Sequence, residues 1–567
     1  MQPQSYPRTG AAWAVLAGFV LLCLLTQPFS TGDTMFYVSD ILGAERTGDV
    51  ASLFEFGHLL WRPAGLWFHF FTSRALPMLE PEAAVFTALL VPVVLGAALA
   101  AVLFFRIAWL LSGSYMVSGV TTVFFVCANG FLNYSQTGCP YVAALGFLTA
   151  SVWIVLRAAA RGDVRLRDVI ASGACLASSV LLWLPFTTVA PGLAMLTLLY
   201  GVDWDWKGAS FRRRLLRTTQ LTGIVCALTG LAYGGAFRLR GYTNMVDLSR
   251  WVAASSHGWQ QTLSLARLVF GFPRSYLDLG TDGVMFKRYM LHDPYAGVKL
   301  TELLAGTAVK LGLFYGVLGY LVWQLARTSS GRRLGLICAI PVTGMFLFAT
   351  VLFEPGSVER YLPLHPFLVM VVASALGQAR KGPQAALAVL MVLFSCSQAW
   401  ARSIWSNGPR DNRTIARIAP VRPRLRGATS VWVISSADPL NAFASARPFH
   451  LYNRPTRLPV SAVVMAGLSS AEFWERDFAS KSLNSWERGG EVWISNRLLA
   501  ARPERSWGWT EGDVPSVQWQ DLPAFFSRLE FLESLAGPDG FSLVAPSANN
   551  RRYLLAFASQ PGNGLSR

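Results

Sequence analysis

Apolar residues dominate roughly the first 400 positions in long runs broken by short polar stretches, whereas the remainder alternates on the shorter scale of a folded soluble domain. Runs of helical length lie near 11–29, 83–105, 115–132, 140–156, 169–184, 187–201, 218–237, 301–325, 334–353, 362–378 and 384–400, which predicts about eleven membrane spans. The stretch 169–201 is interrupted by Pro185 and Pro191. Basic clusters flank it on both sides, and two short crossings, unlike one, keep both clusters on the same face. Beyond residue 400, the β-rich runs Val431–Ser435 and Glu491–Ser495, a helical stretch near Leu522–Leu535, a Gly537-Pro538-Asp539-Gly540 turn and a final strand near Tyr553–Phe557 predict a soluble α/β domain over 401–567.

Composition agrees, because 53% hydrophobic residues, 14% charged residues and a mean hydropathy of +0.39 exceed what one soluble core needs. The chain reads as a polytopic α-helical membrane protein. Its net charge of +17 raises nucleic acid as a partner. The arginines collect in short inter-span loops instead, at Arg157, Arg161, Arg165 and Arg167, at Arg212, Arg213, Arg214 and Arg217, at Arg327, Arg332 and Arg333, and at Arg380 with Lys381. That distribution excludes a DNA-binding face and makes those loops cytoplasmic. The N-terminus is then cytoplasmic, while the loops 30–82, 238–300 and 354–361 and the C-terminal domain lie on the far side. All six histidines (His58, His69, His257, His292, His365, His450) fall in or beside far-side segments. Six of the seven cysteines sit inside apolar runs and none follows residue 400, so neither a disulfide framework nor a thiolate metal site is expected. The residues after the first span lack a small-x-small cleavage pattern, which reads as a retained anchor.

Candidate chemistry concentrates at the far-side membrane edge, the depth at which a lipid's charged head lies. Asp33 stands at the mouth of the first span, with Tyr37 and Asp40 one and two helical turns beyond it. Glu55 follows, and then His58 and Arg62 four residues apart in an aromatic stretch, on one helical face if a helix reaches Pro63. The plain alternative for this stretch is an interfacial amphipathic helix with a snorkelling arginine. The segment 354–366 sets Arg360, Tyr361 and His365 among three prolines at a span boundary. A planar guanidinium suits phosphate because its fork engages two oxygens at once. Trp474, Trp486, Trp507, Trp509 and Trp519 in the C-terminal domain are candidates for sugar stacking or for core packing.

This order of features resembles the GT-C superfamily of membrane glycosyltransferases: one span, a loop opening Gly32-Asp33-Thr34-Met35-Phe36-Tyr37, the Trp61-Arg62-Pro63-Ala64-Gly65-Leu66-Trp67 stretch, alternating spans, Arg360-Tyr361-Leu362-Pro363-Leu364-His365-Pro366 and a far-side C-terminal domain. The look is that of the protein O-mannosyltransferase and aminoarabinose-transferase branch. The resemblance implies a catalytic module over 1–400 that moves a sugar, with inversion, from a polyprenyl-phosphate donor to a hydroxyl on a lipid, glycan or protein acceptor outside the inner membrane. It implies Asp33 as the catalytic base, and Tyr37, Asp40, Glu55, His58, Arg62, Arg360, Tyr361 and His365 as substrate-binding residues. Thr34 stands where that branch usually carries a second acid near the first, and Ala64-Gly65 follow Arg62-Pro63 where Lys-Pro-Pro-Leu is usual. The sugar and the metal question stay open on that account: no dedicated metal motif is present, although Asp33, Asp40 and Glu55 are the acids that would gather round a divalent cation. An O-antigen polymerase or ligase and a secondary transporter are the alternatives. The acid at the first span's end and the soluble domain fit the former less well. The scarcity of mid-span charge, Lys310 being the main one, fits the latter less well.

Overall fold

Within a bilayer only helices and closed barrels satisfy the backbone internally, and most of the apolar runs read from the sequence coincide with a single helix. The computed structural model describes residues 9–26, 32–79, 81–201, 209–254, 265–277, 279, 300–352, 357–402, 430–434, 462–463, 471–499, 521–535 and 540–558. Its first helices are α1 (Thr9–Leu25), α2 (Gly32–Thr47), α3 (Trp61–Ala75), α4 (Pro81–Ser112), α5 (Tyr115–Val126), α6 (Asn129–Tyr134), α7 (Tyr141–Ala160) and α8 (Leu166–Leu182). There follow α9 (Ala190–Leu199), α10 (Ala209–Leu239), α11 (Met245–Ala254), α12 (Leu265–Tyr276), α13 (Leu300–Ala326), α14 (Ser329–Leu347), α15 (His365–Gln378) and α16 (Lys381–Arg402). Among the described residues seven helices are long and apolar enough to cross a membrane, and the apolar stretches Gly10–Leu25, Tyr115–Val126 and Leu184–Leu199 are shorter. Leu231, Val309 and Leu393 on the outward faces of α10, α13 and α16 are 74%, 62% and 61% exposed. Such apolar outward faces suit lipid rather than water.

Local chemistry sets the breaks. Pro185 has no N–H to donate, and the residues before it leave the α region, so α8 ends at Leu182 and a 3₁₀ turn over Leu184–Val189 leads into α9. The run predicted over 115–132 is not one helix: α5 stops at Val126, and the chain turns through Cys127 and Ala128 into the short α6. Pro63 likewise moves a predicted feature. Its ring disfavours helix upstream, so α3 begins at Trp61 with the proline in its first turn, and His58 lies in the preceding turn rather than on a shared helical face with Arg62. Helices α4 and α7 cross so closely that a Cβ on Gly96 would sit 2.6 Å from the Ala143 Cα, the small-residue contact by which helices associate where no hydrophobic effect drives them together.

The chain divides into two units. The first comprises residues 1–28, 36–279 and 304–402, and the second comprises 29–35, 280–303 and 403–567. The second unit holds a five-stranded sheet of order β2-β1-β3-β5-β4, formed by β1 (Ser430–Ile434), β2 (Ala462–Val463), β3 (Val492–Ser495), β4 (Phe531–Ser534) and β5 (Phe541–Val544). β1 pairs in parallel with β2 and β3, whereas β5 is antiparallel to β3 and β4. Trp432 on β1 and Ile494 on β3 pack with Phe478, Phe526 and Leu554, contributed by helices α17 (Ala471–Glu487), α18 (Asp521–Phe526) and α19 (Ala548–Ala558).

Two expectations fail in this unit. The helix expected over Leu522–Leu535 ends at Phe526 and gives way to β4. The strand expected at Tyr553–Phe557 lies within α19, started by Ser547, whose hydroxyl accepts from the Asn550 amide at 3.2 Å in the manner of an N-cap. Trp486 is buried in the core of this unit. Trp507, Trp509, Trp519, most of the Gly537–Gly540 turn, His257, His292 and His450 lie outside the described residues.

Candidate functional site

Arg62 occupies the first turn of α3, and burial leaves it 6% exposed. Its Nε forms an ion pair with Asp40 on α2 at 2.8 Å, its Nη1 donates to the Glu55 carboxylate, and its guanidinium lies over the Tyr37 ring, 4.7 Å from the centroid. A buried guanidinium requires this much compensation. Asp40 remains half-exposed while Glu55 is mostly covered.

Glu55 and His58 belong to a loop whose backbone is held from several sides. The Leu60 amide donates to the Leu181 carbonyl and the Leu184 amide to the Gly57 carbonyl, each at 3.0 Å, which ties the loop to the end of α8. Three side chains of α10, α11 and the turn between them fix it further. Arg240 Nη1 and Trp251 Nε1 donate to the Phe54 carbonyl at 2.7 and 2.9 Å, and the Tyr233 hydroxyl donates to the Phe56 carbonyl at 2.7 Å. His58 Nδ1 stands 3.2 Å from the Leu182 carbonyl, an acceptor only, which assigns the ring proton to that nitrogen.

From Arg62 an aromatic wall leads to the second arginine. Tyr37 meets His58 edge-on at 5.7 Å, His58 meets Tyr141 at 6.0 Å, Tyr141 meets Trp183 at 4.5 Å, and the Arg360 guanidinium lies over Trp183 at 5.6 Å. Arg360 is 8% exposed and belongs to the 3₁₀ turn Val358–Leu364, whose Pro363 keeps it from becoming a regular α-helix. Its neighbour Glu359 divides its carboxylate: Oε2 accepts from the Tyr134 hydroxyl at 2.8 Å, and Oε1 lies 3.5 Å from Arg360 Nη2. Glu359 beside Arg360 is the pairing that the plain reading of this segment anticipates, whereas Tyr134, Tyr141 and Trp183 were not singled out from the sequence.

Tyr361 and His365 take another place. Both are fully buried, with Tyr361 against Phe272 and Phe346, and His365 stacked on Tyr276 at 5.0 Å and met edge-on by Phe125 at 5.4 Å. They pack under the Arg360 turn, in a different part of the same buried core as the wall. Tyr276 and Phe125 also line a small, half-open apolar cavity between α5, α12, α13, α15 and α16, with Leu318, Leu321 and Val372 among its other walls. The Tyr276 hydroxyl reaches the Tyr361 carbonyl at 3.5 Å, so the cavity abuts the turn that carries Arg360.

Asp33 lies in the first turn of α2, where a carboxylate is favoured by unsatisfied helix N–H groups, and it is counted with the second unit. Tyr37, Asp40, Glu55, His58 and Arg62 are brought together within the first unit. Asp40 and Glu55 converge on the guanidinium, so a cation there would compete with Arg62 for both carboxylates. Among the described residues no group of three His, Cys, Asp or Glu side chains is arranged to hold a metal ion.

No family model matches the chain, and no curated protein matches it. Among solved structures it is similar to ArnT from Cupriavidus metallidurans bound to undecaprenyl phosphate, at a TM-score of 0.49 and 13% identity over 96% of this chain and 99% of that one. The apo state of the same protein gives a TM-score of 0.48 and 15% identity at the same coverage. The archaeal oligosaccharyltransferase AglB from Archaeoglobus fulgidus, in complex with an inhibitory peptide and a dolichol-phosphate, gives 0.40 and 13% over 95% of this chain and 74% of that one.

Proposed function

We propose that this chain is an integral membrane glycosyltransferase that moves a sugar from a polyprenyl-phosphate donor to an acceptor hydroxyl on the extracytoplasmic side, with inversion. The observation that carries the reading is the pair of buried guanidinium groups at opposite ends of one aromatic wall, in a helical bundle with apolar outward faces. An apolar cavity ending beneath the Arg360 turn supports it further, because a polyprenyl chain and its phosphate need adjoining apolar and cationic surfaces.

In this scheme the eleven crossings are α1, α4, α5, α7, α8, α9, α10, α13, α14, α15 and α16. The N-terminus is cytoplasmic, and the residues after 402 form an extracytoplasmic domain. Asp33 accepts the proton of the acceptor hydroxyl as that oxygen bonds to the anomeric carbon. The bond from that carbon to the phosphate oxygen breaks, and the electron pair leaves with the lipid phosphate. Arg360 stabilises the charge gained by the leaving phosphate, which lowers the transition state more than the ground state. Arg62, committed to Asp40 and Glu55, fixes the positions of Tyr37 and His58.

Transfer from a radiolabelled polyprenyl-phosphate sugar by protein in proteoliposomes tests the scheme. Asp33→Asn is expected to lower turnover by about 10²–10⁴-fold, the usual contribution of a general base. Full activity in that variant, together with full activity in Arg360→Ala, sinks the assignment.

A further inference from the structure

Glu359 is the one acid beside the proposed phosphate ligand in sequence, and its effect there depends on where its carboxylate is held. A carboxylate closed onto Arg360 would occupy the fork that a phosphate needs. The observed division is uneven: the Tyr134 contact at 2.8 Å has the length of a strong hydrogen bond, whereas the Arg360 contact at 3.5 Å is a loose ion pair. Tyr134 comes from α6, the short helix created by the break after α5, and Gly130 on that helix approaches the Arg360 turn so closely that a Cβ would sit 3.2 Å from the Val358 carbonyl. The Tyr134 ring is braced edge-on by Tyr141 at 4.9 Å. Its hydroxyl is therefore delivered to Glu359 by a packed element and not by a free rotamer.

We propose that Tyr134 is a positioning residue that draws the Glu359 carboxylate away from Arg360 and so sets how strongly the guanidinium engages a lipid phosphate. This rests on Arg360 being the phosphate ligand. Without the Tyr134 hydroxyl, Glu359 closes on Arg360 and competes with phosphate. Without the Glu359 charge, loss of the Tyr134 hydroxyl no longer releases a competitor for the phosphate.

Equilibrium binding of a fluorescent polyprenyl phosphate, with the corresponding uncharged polyprenol as control, tests this on full-length protein in nanodiscs. Tyr134→Phe is expected to weaken polyprenyl phosphate binding about tenfold, the value of one hydrogen bond to a charged group, and to leave polyprenol binding unchanged. Glu359→Gln is expected to bind the phosphate at least as tightly as wild type, and the double variant to match Glu359→Gln alone. A purely structural tyrosine would weaken polyprenol as well, or carry its loss into the double variant, and either result overturns the proposal. Should Glu359→Gln not fold, the phosphate-to-polyprenol ratio in Tyr134→Phe decides by itself. Arg360→Ala binding the phosphate as wild type does would remove the ligand assignment and this inference with it. Arg360→Ala weak with Tyr134→Phe unchanged would remove the inference alone.

Discussion

Arg62 and Arg360 are almost equally buried, yet they are compensated in opposite ways. Arg62 faces two carboxylates and an aromatic ring, so its surroundings carry a net negative formal charge. The contacts described for Arg360 are a loose ion pair to Glu359, whose carboxylate also accepts from Tyr134, and the face of the Trp183 indole. The same residue type is thus held by two strong ion pairs in one place and by a looser pair and an indole face in the other. What marks Arg62 is the reach of Asp40 and Glu55 from other elements, which the bare occurrence of an arginine in an apolar stretch does not reveal.

The largest expected effect breaks the first half of this contrast. Arg62→Ala leaves Glu55 covered but without its guanidinium, and removal of one partner of a buried pair costs about 3–5 kcal/mol. Thermal unfolding in detergent should show that loss, and adding Glu55→Gln should recover part of it. A variant as stable as wild type would mean that the two ion pairs contribute nothing. Next in size is Arg360→Ala, expected to lower kcat/KM for the lipid-linked donor about a hundredfold, or about 2.7 kcal/mol, with a smaller loss of stability because Glu359 keeps its Tyr134 partner. Equal stability losses in the two alanine variants would erase the distinction. The smallest effects come from the rings. Tyr37→Leu and Trp183→Leu each remove a cation–π contact worth about 0.5–2 kcal/mol. The first should appear as a lower unfolding temperature, and the second as a several-fold rise in KM for the donor.

How much of this was legible depends on what constrains each residue. Apolar runs are readable because a bilayer admits few ways to satisfy a backbone, and the helices follow them closely. Arginines among apolar residues stand out for the same reason, so Arg62 and Arg360 were visible. Their difference was not, since Asp40 and Glu55 reach Arg62 from other elements. Tyr141 and Trp183 were missed because an aromatic residue in an apolar run looks the same whether it packs a core or walls a site. Tyr361 and His365 show the converse, polar-looking residues absorbed into packing. In the second unit, Tyr553–Phe557 is short and apolar enough for either helix or strand, and the deciding signal was the Ser547 cap six residues upstream.

The carbonyls of Phe54 and Phe56 are held by Tyr233, Arg240 and Trp251, which lie 177, 186 and 197 residues later in the chain. During synthesis at about 5–20 residues per second, the loop that carries Glu55 and His58 waits roughly 10–40 s for the segment that gives it shape. Its Phe54 and Phe56 carbonyls are made before their side-chain donors exist. The site is therefore among the last parts of its unit to mature, and a nascent chain stalled before α10 would hold inserted spans around an unformed centre.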